Sequence, residues 1–520
     1  MANSAFVGEE IRVECPDVIY SDTEILSYYK YQDSVVRGNV VTPTMERLVF
    51  KTQRNLPRTG LLLVGWGGNN GTTLTAGILA NKLNVTWNTK EGLQHPNYLG
   101  SICKSVTMRI GVNEKNLPVF APLYNVVPLV NPSDIEIAGW DISGLNMGDS
   151  MRRAKVLDWD LQRQLYGELK KMVPWPSIYT PEWIAANQSD RADNCLRGTK
   201  QEMMDVIRQN IKDFKTSRRL DKIIVLWTAN TEKFATLEAG VNDTADNLLY
   251  SITQNHSNIS PSTLFAVASI LEGCTYINGS PQNTFIPGCI ELAERHQVLI
   301  AGDDFKSGQT KLKSVLSDFL VNSGLKLQSV VSYNHLGNND GKNLSVPETF
   351  RSKEISKSGV IEDVVRGNSL MYKPNESPDH CVVIKYVPYV GDSKRAMDEY
   401  ISEIFMGGRN TIAIHNTCED SLLAAPIILD LVILAELCTR IQVKREKDEE
   451  FSKMHPVLSI LSFLLKSPLV PPGSPVIHTL FPQRYAITNL FKALVGLPPE
   501  NFMMLEHKVQ GLRVHKSVFA

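Results

Sequence analysis

A glycine-rich segment lies between a short apolar run and a segment with helical character. Residues 65–71 read GWGGNNG and follow the apolar run 60–64, GLLLV. A continuous apolar run of this length is typical of a buried parallel strand, and residues 72–83 predict a helix after it. Glycines there permit a tight turn and let backbone N–H groups approach a pyrophosphate at the helix N-terminus, where the dipole favours an anion. The pattern favours a dinucleotide-binding loop, and a plain turn between strand and helix is the alternative.

The spacing of this loop departs from the usual dinucleotide fingerprint. It is GxGxxxG with an additional Gly68, where GxGxxG is expected. An acid about 20 residues further on normally contacts a ribose hydroxyl. Glu91 lies at about that distance, but its surroundings are polar and resemble a loop, so it is a poor candidate. No arginine cluster replaces the acid, and the residues therefore favour NAD over NADP only weakly.

Two further segments combine polar donors with charged groups. Residues 302–311, GDDFKSGQTK, lead from a predicted strand into a predicted helix and could hold a phosphate at the helix start, although Asp and Ser are also common helix caps. Residues 334–341, NHLGNNDG, follow a strand end, where α/β sheets place ligands; a surface turn is the alternative. His335 has no companion at metal-ligand spacing, so we predict no metal site.

Four lysines stand where cations could take part in chemistry. Lys353 and Lys357 are four residues apart, which places both on one face of a helix at a cost that a bound phosphate could offset. Lys394 follows a Gly-Asp-Ser sequence, and Lys466 ends the apolar run 457–465, for which we predict a helix. The alternative for each is a solvated surface lysine, and Lys466 also suits a helix C-terminus.

The elements that must position these residues alternate between helix and strand. This rhythm predicts an α/β domain, with a smaller α+β domain inserted before the chain returns to the first. The predicted strands are 223–227, 298–300, 329–333, 382–390 and 411–414; the predicted helices are 201–214, 311–325, 399–406 and 422–443; residues 334–343 and 444–450 are predicted to be a polar loop and a solvated linker.

Composition excludes several classes of protein. The 54 Lys and Arg residues balance 55 Asp and Glu residues, which argues against nucleic acid or an anionic membrane as the main partner. Eight scattered cysteines without a CxxC pair predict a reduced, intracellular protein, and no signal peptide is visible at the N-terminus. The apolar stretch 422–438 is interrupted by Pro426, Asp430 and Glu436, which favours a buried helix in a soluble protein over a membrane span.

Several motifs together resemble those of the eukaryotic inositol-3-phosphate synthase (myo-inositol-1-phosphate synthase) family. The resemblance runs over nearly the whole chain, and Lys233 stands where many members have Arg. The motifs are GWGGNNG at 65–71, LWTANTE at 226–232, NGSPQNT at 278–284, GDDFKSGQTK at 302–311, SYNHLGNNDG at 332–341, GDSK at 391–394 and HNTCEDSL at 415–422.

This resemblance implies a fold and a reaction. The fold is a Rossmann-like NAD-binding domain formed by 58–309 and 423–520, preceded by an N-terminal segment 1–57 and interrupted by a catalytic and tetramerisation domain at 310–422. The reaction is the NAD-dependent isomerisation of glucose 6-phosphate to inositol 3-phosphate in a cytoplasmic homotetramer. NAD oxidises carbon 5, carbon 6 loses a proton, the enolate attacks the carbon-1 aldehyde, and NADH reduces the ketone.

The resemblance also implies roles for individual residues. Lys353, Lys394 and Lys466 would stabilise developing negative charge, with Lys353 relaying the carbon-5 hydroxyl proton, Lys466 facing the carbon-1 oxygen and Asp304 orienting a lysine. The substrate phosphate would accept the carbon-6 proton. The phosphate itself would be held by Ser307, Gly308, Gln309, Thr310 and Lys357.

The NAD-binding residues implied in the same way come from every motif. Asp141 would supply the ribose contact that Glu91 does not, and a turn or helix cap is its alternative. The implied set is Gly67, Gly68, Asn69, Asn70, Asp141, Ser177, Ile178, Gln188, Arg191, Thr228, Ala229, Asn230, Thr231, Gly279, Ser280, Asp304, Ser307, Asn338, Asn339, Asp340, Lys353, Gly391, Asp392, Asp420 and Ser421.

Two other functions remain open on the sequence. One is an ordinary sugar-phosphate dehydrogenase that releases NADH, and the other is a non-catalytic NAD-binding protein. The phosphate-ready segment 302–311 together with the lysines argues against the second of these.

Overall fold

The computed structural model describes residues 10–510 and shows a mixed α/β fold built on three main sheets. Its strands are β1 (Val18–Tyr20), β2 (Glu24–Arg37), β3 (Val40–Gln53), β4 (Thr59–Val64), β5 (Trp87–Thr89), β6 (Gly92–Gln94), β7 (Thr107–Val112), β8 (Pro118–Pro122), β9 (Glu136–Asp141), β10 (Trp175–Pro176), β11 (Lys222–Trp227), β12 (Thr275–Asn278), β13 (Ile300–Ala301), β14 (Lys326–Leu336), β15 (Asp379–Tyr386), β16 (Ser393–Glu403), β17 (Arg409–Glu419), β18 (Ile441–Arg445) and β19 (Ser452–Lys453). Its α-helices are α1 (Asn69–Leu83), α2 (Ile102–Ser105), α3 (Met147–Ala154), α4 (Trp159–Leu169), α5 (Lys200–Arg218), α6 (Ala245–Thr253), α7 (Pro261–Leu271), α8 (Pro287–His296), α9 (Gly308–Asn322), α10 (Asn339–Asn343), α11 (Pro347–Ser358), α12 (Glu362–Arg366), α13 (Asp420–Thr439) and α14 (Leu480–Leu494).

The central sheet is parallel and has the strand order β10-β9-β4-β11-β12-β13. Strand β4 is buried along its whole length because helices cover both faces of the sheet. Leu61 and Leu63 pack towards α1 and α13, whereas Leu62 and Val64 pack towards α5 and α7. The chain leaves β4 towards β9 and β10 and then returns on the other side to β11. A reversal of strand order at this point opens a crevice beyond the carboxyl ends of the strands, where α/β folds bind ligands.

The predicted elements of this domain are present with shifted ends. The predicted helix 72–83 begins earlier, at Asn69, and the predicted helices 201–214 and 311–325 correspond to α5 and α9. The predicted strands 223–227 and 298–300 correspond to β11 and to the short strand β13.

A second sheet, in the order β15-β14-β16-β17, corrects the prediction for residues 399–406. We predicted a helix there, but residues 393–403 form β16, which pairs antiparallel with both β14 and β17. Ala396, Asp398, Tyr400 and Ser402 are buried while the residues between them are exposed or partly exposed, and this two-residue period belongs to a strand. The inner face of the sheet packs on α9 and α12, and its outer face is exposed.

Flanking predictions in this region also shift. Strand β14 extends to Leu336 and α10 begins at Asn339, so the predicted loop 334–343 is only partly a loop. The predicted strand 382–390 corresponds to β15, which ends earlier, at Tyr386. The predicted strand 411–414 lies within β17, which spans Arg409–Glu419.

A third sheet joins the first three strands to the segment that follows α13, in the order β1-β2-β3-β18-β19. Here the predicted helix 422–443 ends at Thr439, and the predicted linker 444–450 begins within β18, which pairs with β3. The predicted α-helix 457–465 is wrong: only a 3-10 helix forms, at Ser459–Leu464. Bridges from Val457 to Ile300 and from Leu465 to Phe305 hold both ends of this segment in extended conformations, which prevents a longer helix.

Helix α13 is the core helix of the fold. It is long and apolar enough to cross a membrane by length and composition, but 78% of its most apolar window is buried inside the protein. Asp430, fully buried in its middle, accepts hydrogen bonds from the Ser101 hydroxyl and from the backbone N–H groups of Ile102 and Cys103. It thereby caps α2, and this partnering explains why α13 tolerates a carboxyl group inside the core.

A buried arginine fastens the end of α13 to the third sheet. The Arg440 guanidinium pairs with Glu436 at 2.7 Å and donates hydrogen bonds to the carbonyl oxygens of Gln53 and Pro128. The side chains of Arg440 and Glu436 are 2% and 0% exposed, respectively.

We expect Arg440→Leu to lower the free energy of unfolding by about 3–5 kcal/mol, because it leaves the Glu436 carboxylate buried without a counter-charge. Arg445→Leu is the control, since Arg445 pairs with Glu46 in a solvent-exposed contact and its loss should cost less than about 1 kcal/mol. Urea unfolding followed by tryptophan fluorescence measures both. Equal losses in the two variants would contradict the role given to Arg440.

Candidate active site

One cleft lies beyond the carboxyl ends of β4, β9, β11 and β12, and it brings together most of the predicted site residues. Those that line it are Gly68, Asn69, Asn70, Asp141, Ser177, Ile178, Arg191, Thr228, Ala229, Asn230, Thr231, Gly279, Ser280, Asp304, Ser307, Asn338, Asn339, Asp340, Lys353, Lys394, Asp420 and Lys466. Residues of the predicted set that do not line it are Gly67, Gln188, Gly308, Gln309, Thr310, Lys357, Gly391, Asp392 and Ser421. Apolar wall residues that the sequence did not single out include Ile142, Ile184, Trp227, Phe305, Leu336 and Ala424.

The glycine loop has a geometry that only glycine allows at two positions. Gly65 has φ +86°, and a Cβ added there would lie 2.6 Å from the Ala229 Cα. At Gly71 a Cβ would lie 2.2 Å from the carbonyl oxygen of Trp66. Helix α1 begins directly after Gly68, which makes no side-chain cap, so the first N–H groups of the helix are available to an anion. This cradle fits a dinucleotide pyrophosphate.

Asp141 lies beside this loop at the end of β9. Its Oδ1 accepts a hydrogen bond from the Ser143 N–H at 2.9 Å and pairs with Arg191 at 3.4 Å. A Cβ added at Gly67 would lie 3.2 Å from the Asp141 Oδ2, which shows how closely the carboxylate approaches the loop. Glu91, by contrast, is exposed in the turn between β5 and β6. Asp141 is thus the acid positioned at the glycine loop.

The loop after β14 is fastened to the central sheet. Asp340 accepts hydrogen bonds from the backbone N–H and the hydroxyl of Thr231, at 2.8 and 3.0 Å. Buried Asn343 accepts from the Ala185 N–H and donates to the carbonyl oxygen of Thr231. Gln188 donates to the carbonyl oxygen of Asn339. Sequence reasoning missed Asn343, since nothing in the sequence distinguishes it from other polar loop residues.

Asp304 is the centre of a buried charge cluster. Its carboxylate accepts hydrogen bonds from Lys353 at 2.9 Å, from Lys466 at 3.0 Å and from the Ser356 hydroxyl at 2.9 Å. Burial opposes ionisation of Asp304, but the two ammonium groups outweigh it and hold its pKa well below the usual range. Burial lowers the pKa of Lys466 to about 7 against the pull of Asp304. For Lys353 the opposite balance holds: burial lowers its pKa, but the charges of Asp304 and Asp340 and the hydrogen bond to Asp304 together outweigh burial and raise the pKa.

A second charged pair, Lys394 and Asp420, also lines the cleft. The Lys394 ammonium is 3.5 Å from Asp420. Burial raises the pKa of that carboxyl, but the charges of Lys394, Lys466 and Lys353 together hold it below its usual value. Asp392 next to it accepts hydrogen bonds from the N–H and hydroxyl of Ser421 and from the side-chain amide of Asn69. These contacts join α1 to the second sheet and hold Lys394 near the glycine loop.

Lys357 lies one helical turn beyond Lys353 on α11, as their spacing predicted. Its ammonium donates hydrogen bonds to Asn334 at 3.0 Å and to Gln309 at 3.3 Å. Burial lowers its pKa well below the usual value, and the charges of Lys394 and Lys466 lower it further. Sequence reasoning missed Asn334, whose alternation along β14 points it into the protein.

The two lysines of segment 302–311 pack against neighbouring parts of the protein. Lys306 is fully buried and donates hydrogen bonds to the carbonyl oxygen of His478 and to Gln483, at 2.9 and 3.0 Å. Lys311 lies over the ring of Phe463. Ser307 lines the cleft and is the residue before α9, so the free N–H groups at the start of this helix lie next to the cleft.

Replacing Asp304 with Asn should lower the free energy of unfolding by about 3–5 kcal/mol, since Lys353 and Lys466 then remain buried without their counter-charge. Because Asp304 has a depressed pKa in the folded state, its stabilisation is present above its unfolded pKa of about 4 and is lost as the pH falls. The difference between the two proteins should therefore shrink below pH 4. Urea unfolding at several pH values measures it.

Asp303→Asn is the matched control. Burial raises the pKa of Asp303 well above its usual value, and its carboxyl accepts a hydrogen bond from Asn278 that an asparagine could also accept. This substitution should cost less than about 1 kcal/mol. A loss as large as that of Asp304→Asn would show that the effect is not specific to the lysine cluster.

Comparisons with known proteins agree with this geometry. A family model that is named for NAD binding and described as myo-inositol-1-phosphate synthase matches residues 59–492. Inositol-3-phosphate synthase of Dictyostelium discoideum is 57% identical over 510 residues, which cover 97% of this chain and all of that protein. Inositol-3-phosphate synthase 1 of Homo sapiens is 58% identical over 502 residues, covering 96% and 90% of the two chains.

A solved structure extends the likeness to three dimensions. The crystal structure of inositol-3-phosphate synthase from Caenorhabditis elegans has a TM-score of 0.95 and 51% sequence identity, covering 98% of this chain and all of that one. A chain that matches the family model across its glycine loop, its charge cluster and its second sheet belongs to the myo-inositol-1-phosphate synthase family.

Proposed function

We propose that this protein is an NAD-dependent enzyme that isomerises D-glucose 6-phosphate to 1D-myo-inositol 3-phosphate, the first step of inositol biosynthesis. The observation that carries this proposal is the meeting of a dinucleotide cradle and three lysines, Lys353, Lys394 and Lys466, in one cleft. The relatives named inositol-3-phosphate synthase support the same reaction.

The cofactor proposed is NAD, held at the glycine loop. When bound, it would accept a hydride from the substrate and return it, so that the overall reaction involves no net oxidation. The proposed protein contacts are the NAD-binding set given above, with Asp141 at the ribose and the N-terminus of α1 at the pyrophosphate. The close approach that Gly65 and Gly71 permit supports this placement.

The lysines act on the oxygen atoms of the sugar. Asp304 occupies part of the hydrogen-bonding capacity of Lys353 and Lys466 and leaves the remaining N–H groups for the substrate. We assign Lys353 to the carbon-5 hydroxyl and its proton, and Lys466 to the carbon-1 oxygen, with Lys394 as a third cation. Cations fixed before the reaction stabilise alkoxide, enolate and aldol oxyanions without reorganisation, and this effect is large in a site shielded from water.

The substrate phosphate is assigned to the start of α9. Ser307, Gly308, Gln309 and Thr310 belong to this helix start, and Lys357 lies behind it with one N–H beyond those donated to Asn334 and Gln309. A bound phosphate dianion would favour the ammonium form of Lys357, whose pKa is low in the free protein. We assign the carbon-6 proton to the phosphate itself.

We further propose a cytoplasmic homotetramer with the domain division 1–57, 58–309 with 423–520, and 310–422. The exposed face of the second sheet carries Tyr333 and Met397, which are 51% and 60% exposed, and such apolar positions support a subunit contact there. All eight cysteines, which lie between residues 15 and 438, are free thiols, as a reducing compartment favours.

The first experiment supplies purified protein with glucose 6-phosphate and a catalytic amount of NAD. We expect inositol phosphate in excess of NAD by NMR and no lasting absorbance of NADH. Lasting NADH without a cyclised product would indicate the simple sugar-phosphate dehydrogenase. Binding of NAD with neither signal would indicate the non-catalytic protein.

We expect Lys353→Met to reduce kcat at least about 100-fold, because one preorganised cation and proton carrier is lost at the reacting oxygen. Lys342→Met is the control: Lys342 lies on the nearby helix α10 but pairs with Asp190 at the surface, so its kcat should change less than about twofold. Steady-state formation of inositol phosphate gives kcat and KM for each protein. A Lys353→Met enzyme that binds substrate and keeps full activity contradicts the assignment.

A further inference from the structure

Two guanidinium groups flank the Asp141 carboxylate at the proposed ribose end of the cleft. Arg191 Nη2 is 3.4 Å from Asp141 Oδ1, and Arg153 Nη2 donates a hydrogen bond to the carbonyl oxygen of Gly67. Gly67 itself approaches Asp141 Oδ2, and the charges of both Asp141 and Arg191 act on Arg153. Two cations and one anion therefore lie together at the place where Asp141 and Arg191 line the cleft.

The hydrogen-bonding capacity of this corner is only partly used. Within residues 10–510, Arg153 Nη1 and Arg191 Nε are buried N–H groups without a hydrogen-bond partner. Burial lowers the pKa of Arg153, and the neighbouring charge of Arg191 lowers it further while Asp141 opposes the change. Buried donors without acceptors cost free energy, and the acceptor that would suit two guanidinium groups is an anion with several oxygens.

The two forms of the nicotinamide cofactor differ at this position. NAD carries a 2′-hydroxyl on its adenosine ribose, which donates a hydrogen bond to a carboxylate, whereas NADP carries a phosphate that a carboxylate repels and arginines bind. We propose, on the basis of the NAD-dependent function proposed above, that Asp141 alone excludes NADP. On this proposal Arg153 and Arg191 form a latent site for the 2′-phosphate, which the charge of Asp141 masks.

The experiment measures the dissociation constants of NAD and NADP by isothermal titration calorimetry for the wild type and for Asp141→Asn. Asparagine keeps the shape of the side chain and an oxygen that can accept from the Ser143 N–H, but it removes the charge. We expect the Kd for NADP to fall at least about tenfold and the Kd for NAD to rise about tenfold, so that their ratio changes about 100-fold.

The double variant Asp141→Asn with Arg153→Met tests the latent site. It should lose the gain in NADP affinity relative to NAD, and the ratio of the two Kd values corrects for any general effect on the glycine loop. The matched control is Asp141→Asn with Arg152→Met, because the Arg152 guanidinium lies over the Tyr166 ring, 3.6 Å from its centroid. That control should keep the gain.

Two results would overturn the inference: no gain in NADP affinity on Asp141→Asn, or a gain that persists without Arg153. Melting curves without cofactor verify that each variant is folded, and Asp141→Ser replaces Asp141→Asn if the latter is not. A wild type that binds neither cofactor would refute the proposed function itself. A wild type that binds NAD, together with an Asp141→Asn variant that gains nothing for NADP, would refute only the role of the arginines.

Discussion

The contact between the Asp304 carboxylate and the ammonium groups of Lys353 and Lys466 determines how the rest of the cleft can be built. Three distant parts of the chain meet there: the turn before α9, helix α11 and the segment after the 3-10 helix. A lysine placed in this core without Asp304 would lose its proton, and Asp304 without the lysines would gain one. The charged state of each group therefore depends on correct docking of the other two segments.

The need to hold Asp304, Lys353 and Lys466 in place also explains why the residues around them are polar. Ser356 donates a further hydrogen bond to Asp304, while Asp340 and Asn343 fix α10, the helix that precedes α11, against the Thr231 backbone. Each of these hydrogen bonds contributes little stability by itself. Together they fix the direction of α11, and a misplacement of about 1 Å in a catalytic group can cost a large part of the rate.

Much of the fold could be predicted from local patterns, and the failures have physical causes. The buried strand β4 and helix α5 have clear apolar periods, so sequence reasoning found them. Strand β16 was mistaken for a helix because Glu399–Glu403 mixes residues that suit either state, and only pairing with β14 and β17 decides between them. The long strands β2 and β3 were missed since their outer halves are exposed on both faces and show no apolar alternation.

Less of the candidate site than of the fold could be predicted from the residues alone. Spacing and context indicated the glycine loop, whereas the roles of the lysines and of Asp141 came only from the family resemblance. Asp141 is about 70 residues beyond the loop in sequence, but β9 pairs directly with β4 and brings it within contact. Arg153 lies outside every motif, and Asn334, although it lies within the motif at 332–341, was given no role, so only packing reveals their contacts. The domain division and the assembly stay proposals.

Helix α13 has a consequence for how the protein is made. It covers one face of the sheet that β4 begins and packs against α1, although more than 300 residues separate the two helices in sequence. A ribosome adding about 5–20 residues per second needs on the order of tens of seconds to supply α13 after α1 has emerged. During that interval the apolar residues Leu61 and Leu63 lack α13, one of the two helices that cover them. In the newly made chain we therefore expect β4 to be a binding segment for chaperones that recognise exposed apolar residues.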